Sequence, residues 1–172
     1  MEWGMANRMH RMFNPVSGNS VMVAVDHGYF MGPTRRLENA RATIAPLLPY
    51  ADALGVTRGI LRHAVDPTAS TPILLRVSGA VTVLKEDLSH ESIVTSMDDA
   101  ARLNVSAVAL SVFVGAPYEH ESLLHLSQLI DAGEAVASPS CRSRRSGRSS
   151  RSGTPATSRS PAGCRPSSAP GW

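Results

Sequence analysis

The sequence predicts an α/β fold of parallel βα units, and three observations carry that expectation. Strand-length apolar runs alternate with helix-period segments from Val21 to Gly133. The first run, Val21-Met22-Val23-Ala24-Val25, is apolar on both faces, as a sheet covered by helices requires. The composition then changes abruptly, because residues 138–172 contain no Val, Ile, Leu, Met, Phe or Tyr and no Asp or Glu.

In chain order, residues 5–13 are expected to form a short helix, ended by Asn14-Pro15 and the turn residues Ser17-Gly18-Asn19. The first strand follows and runs directly into Asp26-His27-Gly28. A helix is expected over Arg36 to Tyr50, with Leu37, Ala40, Ile44, Leu47 and Leu48 on one side. Ala51 to Thr57 reads as the second strand and Pro72 to Val77 as the third. Ser92 to Asn104 has helical spacing at Ile93, Met97, Ala100 and Leu103, and Val105 to Val114 reads as the fourth strand. The last expected helix covers Pro117 to Ala132, with Gly133 at the position of a C′ glycine. Ala135-Val136-Ala137 then begins a fifth strand, and the apolar pattern stops. A closed eight-fold barrel takes about 250 residues, so this pattern writes about half of one. The expected division is an N-terminal helical extension at 1–20, a partial barrel at 21–137 and a tail at 138–172.

Charge divides at the same place. Of the 17 Lys and Arg residues, seven arginines (142, 144, 145, 148, 151, 159 and 165) fall in the tail, leaving 10 against 14 acidic residues before it. The body is therefore mildly acidic and resembles a metabolic protein more than a nucleic-acid binder. An Arg/Ser/Pro/Gly/Ala/Thr tail cannot bury enough apolar area to offset its ordering entropy, so it is expected to be disordered. Three origins are open to it: an arginine-rich nucleic-acid-binding arm, a natural linker or interaction tail, and a reading-frame shift. The break falls inside a strand rather than at a domain boundary, which favours the frame shift. Both cysteines, Cys141 and Cys164, lie in this tail, so the body has no disulfide or thiolate site to offer. Apolar runs are far shorter than the roughly 20 residues of a membrane helix, and the N-terminus lacks a secretory apolar region. A cytoplasmic protein with no membrane partner is the expectation.

Several blocks carry a resemblance. They are Asn14-Pro15, Val21 to Pro33 with Asp26-His27-Gly28-Tyr29-Phe30, Thr57-Arg58-Gly59-Ile60-Leu61-Arg62 and Leu75-Arg76-Val77-Ser78-Gly79. Ser96-Met97-Asp98-Asp99-Ala100 and Tyr118-Glu119-His120 continue the series in the same order. Over roughly residues 2 to 134 the chain resembles the class I (Schiff-base) aldolase family of archaeal-type fructose-bisphosphate aldolases and the autoinducer-2 phosphate thiolase. The resemblance implies the first half of a TIM (β/α)8 barrel, about four βα units. It implies carbon–carbon cleavage or formation on a small phosphorylated ketose or dione, in a homo-oligomer, without a cofactor. In the family the iminium-forming lysine lies on the sixth strand, with phosphate held after strands seven and eight. The only lysine here is Lys85, which reads as a solvated surface residue. The expectation is therefore a truncated, inactive member. The alternatives are a non-catalytic fragment that associates with subunits, or nucleic-acid binding through the tail.

By resemblance Asp26, at the end of strand one, corresponds to the family's acidic active-site residue, a candidate acid/base; the bland alternative is an Asx turn or helix cap. His27 is a candidate substrate contact or a turn residue, and no nearby set of ligands makes it a metal site. Arg58, after strand two, is a candidate contact for phosphate or for Asp26, against an ordinary structural ion pair. Ser78 is a candidate substrate-side residue in what reads as a turn. Arg76, within an apolar strand, needs a partner if buried and reads as a structural barrel charge. Tyr118-Glu119-His120 is expected to cap and pack the last helix.

Overall fold

The computed structural model describes residues 3–32, 34–84 and 87–137, all within one unit spanning Met1–Ser140. The tail expected at 138–172, with its cysteines and arginines, and Lys85 lie outside the described residues.

A helix α1 (Trp3–His10) precedes strand β1 (Met22–Ala24), and a one-turn helix α2 (Gly28–Met31) follows it. Helix α3 (Ala40–Ile44) and a 3-10 turn at Leu48–Tyr50 lead to β2 (Ala53–Thr57), which runs straight into α4 (Arg58–Ala64). Next come β3 (Ile73–Arg76), the short strands β4 (Ser78–Gly79) and β5 (Ser92–Ile93), and helix α5 (Met97–Arg102). Strand β6 (Ala107–Ala109) and the long helix α6 (Glu119–Ala137) complete the described chain. The main sheet has the order β1-β2-β3-β6, every neighbouring pair parallel. Four adjacent parallel strands with helices between them are the first half of a TIM-type barrel.

Alternation along each strand sorts its residues between two faces. On the helix side Leu54 and Val56 are fully buried with Ile44, Ala64 and Val65, and Val23, Leu37, Ile60 and Ile73 pack around them. A second cluster joins Leu75 and Val77 to Ala100, with Leu103, Val108 and Leu129 against it. The other face carries the complementary residues, in rows fixed by the register. Ala24 lies opposite Gly55, Gly55 opposite Leu74 and Leu74 opposite Ala107; Thr57 lies opposite Arg76 and Arg76 opposite Ala109. Small residues dominate these rows until Arg76 at the C-terminal end of β3.

The structure shortens several expected elements. The helix expected over Arg36 to Tyr50 is only Ala40–Ile44 plus the 3-10 turn. Arg36 has φ 75°, outside the helical region, and Asn39 caps the first turn by accepting from the Ala42 N–H. Pro46 and Pro49 cannot donate into a continuing helix. Ser92 does not open a helix; it pairs in β5, and Ser96 is the N-cap of α5, accepting from the Asp99 N–H. Helix α4 was not expected at all, and Thr57 starts it by accepting from the Ile60 N–H. Gly133 does not end α6: its φ is not positive, and the helix continues through the residues expected to open strand five. A strand there needs a neighbour, whereas Glu134 and three small apolar residues satisfy their backbone groups within a helix.

Candidate active site

The parallel strands all point their C-terminal ends at one rim, where the chain leaves β1 at Asp26 and β3 at Val77. Val25 extends the ladder by donating to the Gly55 carbonyl at 2.9 Å, which carries Asp26 beyond the sheet. The Asp26 carboxylate then lies 3.7 Å from the Arg76 guanidinium. His27 takes the N-cap position of α2 without a side-chain cap, so the bland capping role finds no hydrogen bond at Asp26 or His27.

Arg76 is the centre of the arrangement. Its side chain is 15% exposed and meets the 3%-exposed Glu91 at 3.3 Å. It also donates to the Tyr29 hydroxyl and to Ser111 Oγ, and its guanidinium stacks 4.7 Å from the Tyr29 ring centre. Glu91 in turn accepts from Tyr29 and, at 2.5 Å, from the Ser78 hydroxyl. Ser78 Oγ accepts from the Ser111 N–H at 3.2 Å. One buried guanidinium thus sits between two carboxylates; the Tyr29 and Ser111 hydroxyls accept from it and Ser78 braces Glu91, while Arg76 Nε is buried without a hydrogen-bond partner among the described residues. Burial first, and then the hydrogen bond to Glu91, push the Tyr29 phenol up to about 12. It therefore stays protonated through the physiological range and acts as a donor.

Local structure explains why these groups meet. Ser78-Gly79, expected as a turn, is instead a two-residue strand paired antiparallel with Ser92-Ile93. This ribbon delivers Glu91 directly beside β3. Gly79 makes it possible, since a Cβ there would stand 3.3 Å from the Tyr29 ring. Ser111 arrives two residues beyond the end of β6.

Of the expected site residues, the structure brings Asp26 and Ser78 together through Arg76 and Glu91. His27 follows Asp26 in sequence, its Nε2 3.4 Å from Thr34 Oγ1. Arg58 does not reach Asp26. It pairs at 2.9 Å with Asp99, which Arg62 also meets at 3.2 Å. Asp99 is held below the usual carboxylate range, chiefly by the Arg58 hydrogen bond. Arg76 has the charged partners that its burial demands in Glu91 and Asp26, while its Nε finds no hydrogen-bond partner among the described residues. Tyr118 stacks on His90 at 3.9 Å, and Glu119 accepts from the Gly115 N–H at 2.6 Å, so that block does packing and capping work. Sequence reasoning passed over Glu91 and Ser111. Ser111 was visible as a polar residue at an alternate position of an apolar run, whereas Glu91 sits in a loop without period. Tyr29 lies in the Asp26-His27-Gly28-Tyr29-Phe30 block, where nothing local points to its contact with Arg76.

No family model matches the chain. Over 140 residues it is 52% identical to the 3-hydroxy-5-phosphonooxypentane-2,4-dione thiolase of Escherichia coli O139:H28, a match covering 81% of this chain and 48% of the relative. The protein of the same description from Salmonella typhimurium is 50% identical over 139 residues, covering 81% and 47%. The chain thus spans about half the length of the curated relatives it matches. Among solved structures it is similar to a Schiff-base-forming fructose-1,6-bisphosphate aldolase, with a TM-score of 0.65 at 23% identity, covering 77% of this chain and 54% of that one. An archaeal fructose-1,6-bisphosphate aldolase matches with a TM-score of 0.62 at 25% identity and the same coverage.

Proposed function

We propose that the chain is the N-terminal half of a class I (Schiff-base) aldolase-family barrel and that its residues form the acid/base and substrate-contacting half of a carbon–carbon-cleaving site, a reading supported by the thiolase relatives and the half-barrel fold. The substrate class is a small phosphorylated ketose or dione. The observation that carries this reading is the convergence of Asp26, Arg76, Glu91 and Ser78 at the C-terminal ends of the parallel strands. Asp26 is the acid/base group; Ser78 and His27 border the substrate, and Arg58 stands at the same rim, held by Asp99. Arg76 orients Asp26 and is itself fixed by Glu91. The iminium-forming lysine belongs, in this reading, to the barrel's other half, and Lys85 takes no part.

Borohydride trapping with dihydroxyacetone phosphate tests it. The chain alone gives no adduct. Co-expressed with the C-terminal half of the E. coli relative, it yields an adduct on that half, and Asp26→Asn lowers turnover by roughly 100-fold or more. An adduct at Lys85 would overturn the lysine assignment, and undiminished turnover in Asp26→Asn the role of Asp26.

A second reading, a non-catalytic subunit-associating fragment, is favoured by one observation. Among the described residues no strand pairs with the outer edge of β6. A groove of about 840 Å³ runs there between α1 and α6, lined by Met5, Met9, Leu126, Leu129 and Ile130. This reading expects the chain to co-purify with a full-length relative, and a chain that remains a monomer in the mixture refutes it.

A further inference from the structure

We propose that the rim between α4 and α5 is a binding site for a phosphate or diphosphate group. The proposal stands whether or not the aldolase reading holds, because it concerns binding and needs no turnover. Three guanidiniums converge on a single carboxylate. Arg58 lies 2.9 Å, Arg62 3.2 Å and Arg102 4.0 Å from Asp99, and their side chains are 42%, 47% and 75% exposed. One carboxylate cannot balance three charges that never titrate at accessible pH. Asp98, the neighbouring acidic residue, forms no ion pair with them among the described residues. The excess is therefore positive even when Asp98 is counted.

The donors also have room. Each guanidinium offers five N–H groups in a planar fork, while Asp99 has only two oxygens, both already engaged. Donors are therefore left over on side chains that keep much of their area in water, and a planar fork is the geometry that matches a phosphate oxygen pair. The half-exposed Arg58 and Arg62 side chains are held at their tips by Asp99, so part of their ordering entropy is already lost before an anion arrives.

The position in the fold is informative. Arg58 is the residue immediately after β2, and Arg62 is one turn further along α4. Helix α5 leads into the parallel strand β6, so its first turn, with Asp99, lies at the same end of the sheet. That end is the one bearing Asp26. Anions captured here collect on the substrate side of the sheet rather than at its far end.

The test uses the full chain and inorganic pyrophosphate, titrated by calorimetry at pH 7 and low salt. Pyrophosphate binds, and Arg58→Ala/Arg62→Ala weakens it by roughly tenfold or more, the loss of a charge-assisted pair. Asp99→Asn tightens binding by removing the competing carboxylate, a gain that a merely structural ion pair would not give. Arg102→Ala, at the most exposed of the three, weakens binding without disturbing the fold. Binding that is the same in all variants would locate it on the tail arginines and overturn the proposal. Absence of binding in the parent chain overturns it as well.

Discussion

Two arginine–carboxylate clusters flank β3 and α5, and they differ in almost everything except their chemistry. The cluster at Arg76 is interior: Glu91 is 3% exposed, and Tyr29 of α2, Ser78 of β4 and Ser111 beyond β6 each contribute a hydroxyl to it. The cluster at Asp99 is at the surface, where Arg58 and Arg62 keep nearly half their side-chain area in water. A buried pair has already been desolvated, so losing one partner strands the other. A surface pair returns to water at little cost and is screened by salt. The same ion pair is therefore a structural commitment in one place and a spare binding capacity in the other.

Removing Glu91 should break the comparison most severely. Glu91→Ala leaves Arg76 buried with only Asp26, at 3.7 Å, to balance it. The expected loss is about 3 kcal/mol, the lower end for breaking a buried pair, because Asp26 takes over part of the charge. Urea unfolding measures it, and a loss below about 1 kcal/mol would put this cluster in the surface class. Added salt should leave the loss unchanged.

Tyr29→Phe is a smaller perturbation of the same cluster. It keeps the ring against Gly79 and Arg76 but removes the hydroxyl shared by Arg76 and Glu91. Leaving those buried partners short costs about 1–3 kcal/mol. The phenol also gives a pH signature. Its folded value, about 12, lies above the ordinary 10, so folding favours the protonated form. That contribution is complete below pH 10 and disappears as pH rises from 10 to 12. Phenolate absorbance should show a step near pH 12 that is absent in Tyr29→Phe; a parent chain without that step would contradict the interior placement of the hydroxyl.

How far the two clusters could be read from sequence follows from the range of the forces involved. The parallel βα alternation and part of the helix-side core were legible, because the apolar strand runs and the period-3.6 spacing at Ile44 and Ala100 are local. Asp26 was legible because it ends a strand inside a recognisable block. The length of α3 was not, since the apolar spacing across Arg36 to Tyr50 outweighed Pro46 and Pro49 in the reading. The β4–β5 ribbon has two residues on each side, too few for a period to appear. Without the ribbon nothing places Glu91 against Arg76. Arg58 and Asp99 stand 41 positions apart, so the choice of Asp99 over Asp26 is purely tertiary.

The surface cluster gives the smallest stability effect and the finest test of the comparison. Asp99→Asn should cost less stability than either interior substitution, and 0.5 M NaCl should erase most of the difference from the parent chain. The pH dependence has a definite sign. Arg58 and its neighbours hold the Asp99 carboxyl below its ordinary value of 3.8, so folding favours the ionised form. The stabilisation is fully present above that ordinary value and is lost as pH falls through the lower folded one. Asp99→Asn should therefore show its deficit near neutral pH and converge on the parent curve as pH falls, which flattens the acid limb. Thermal melts between pH 2 and 7, at low and high salt, read both effects at once. If the Asp99→Asn deficit persisted in high salt, Asp99 would act as a buried partner, and the division between a committed interior and a spare surface would fail.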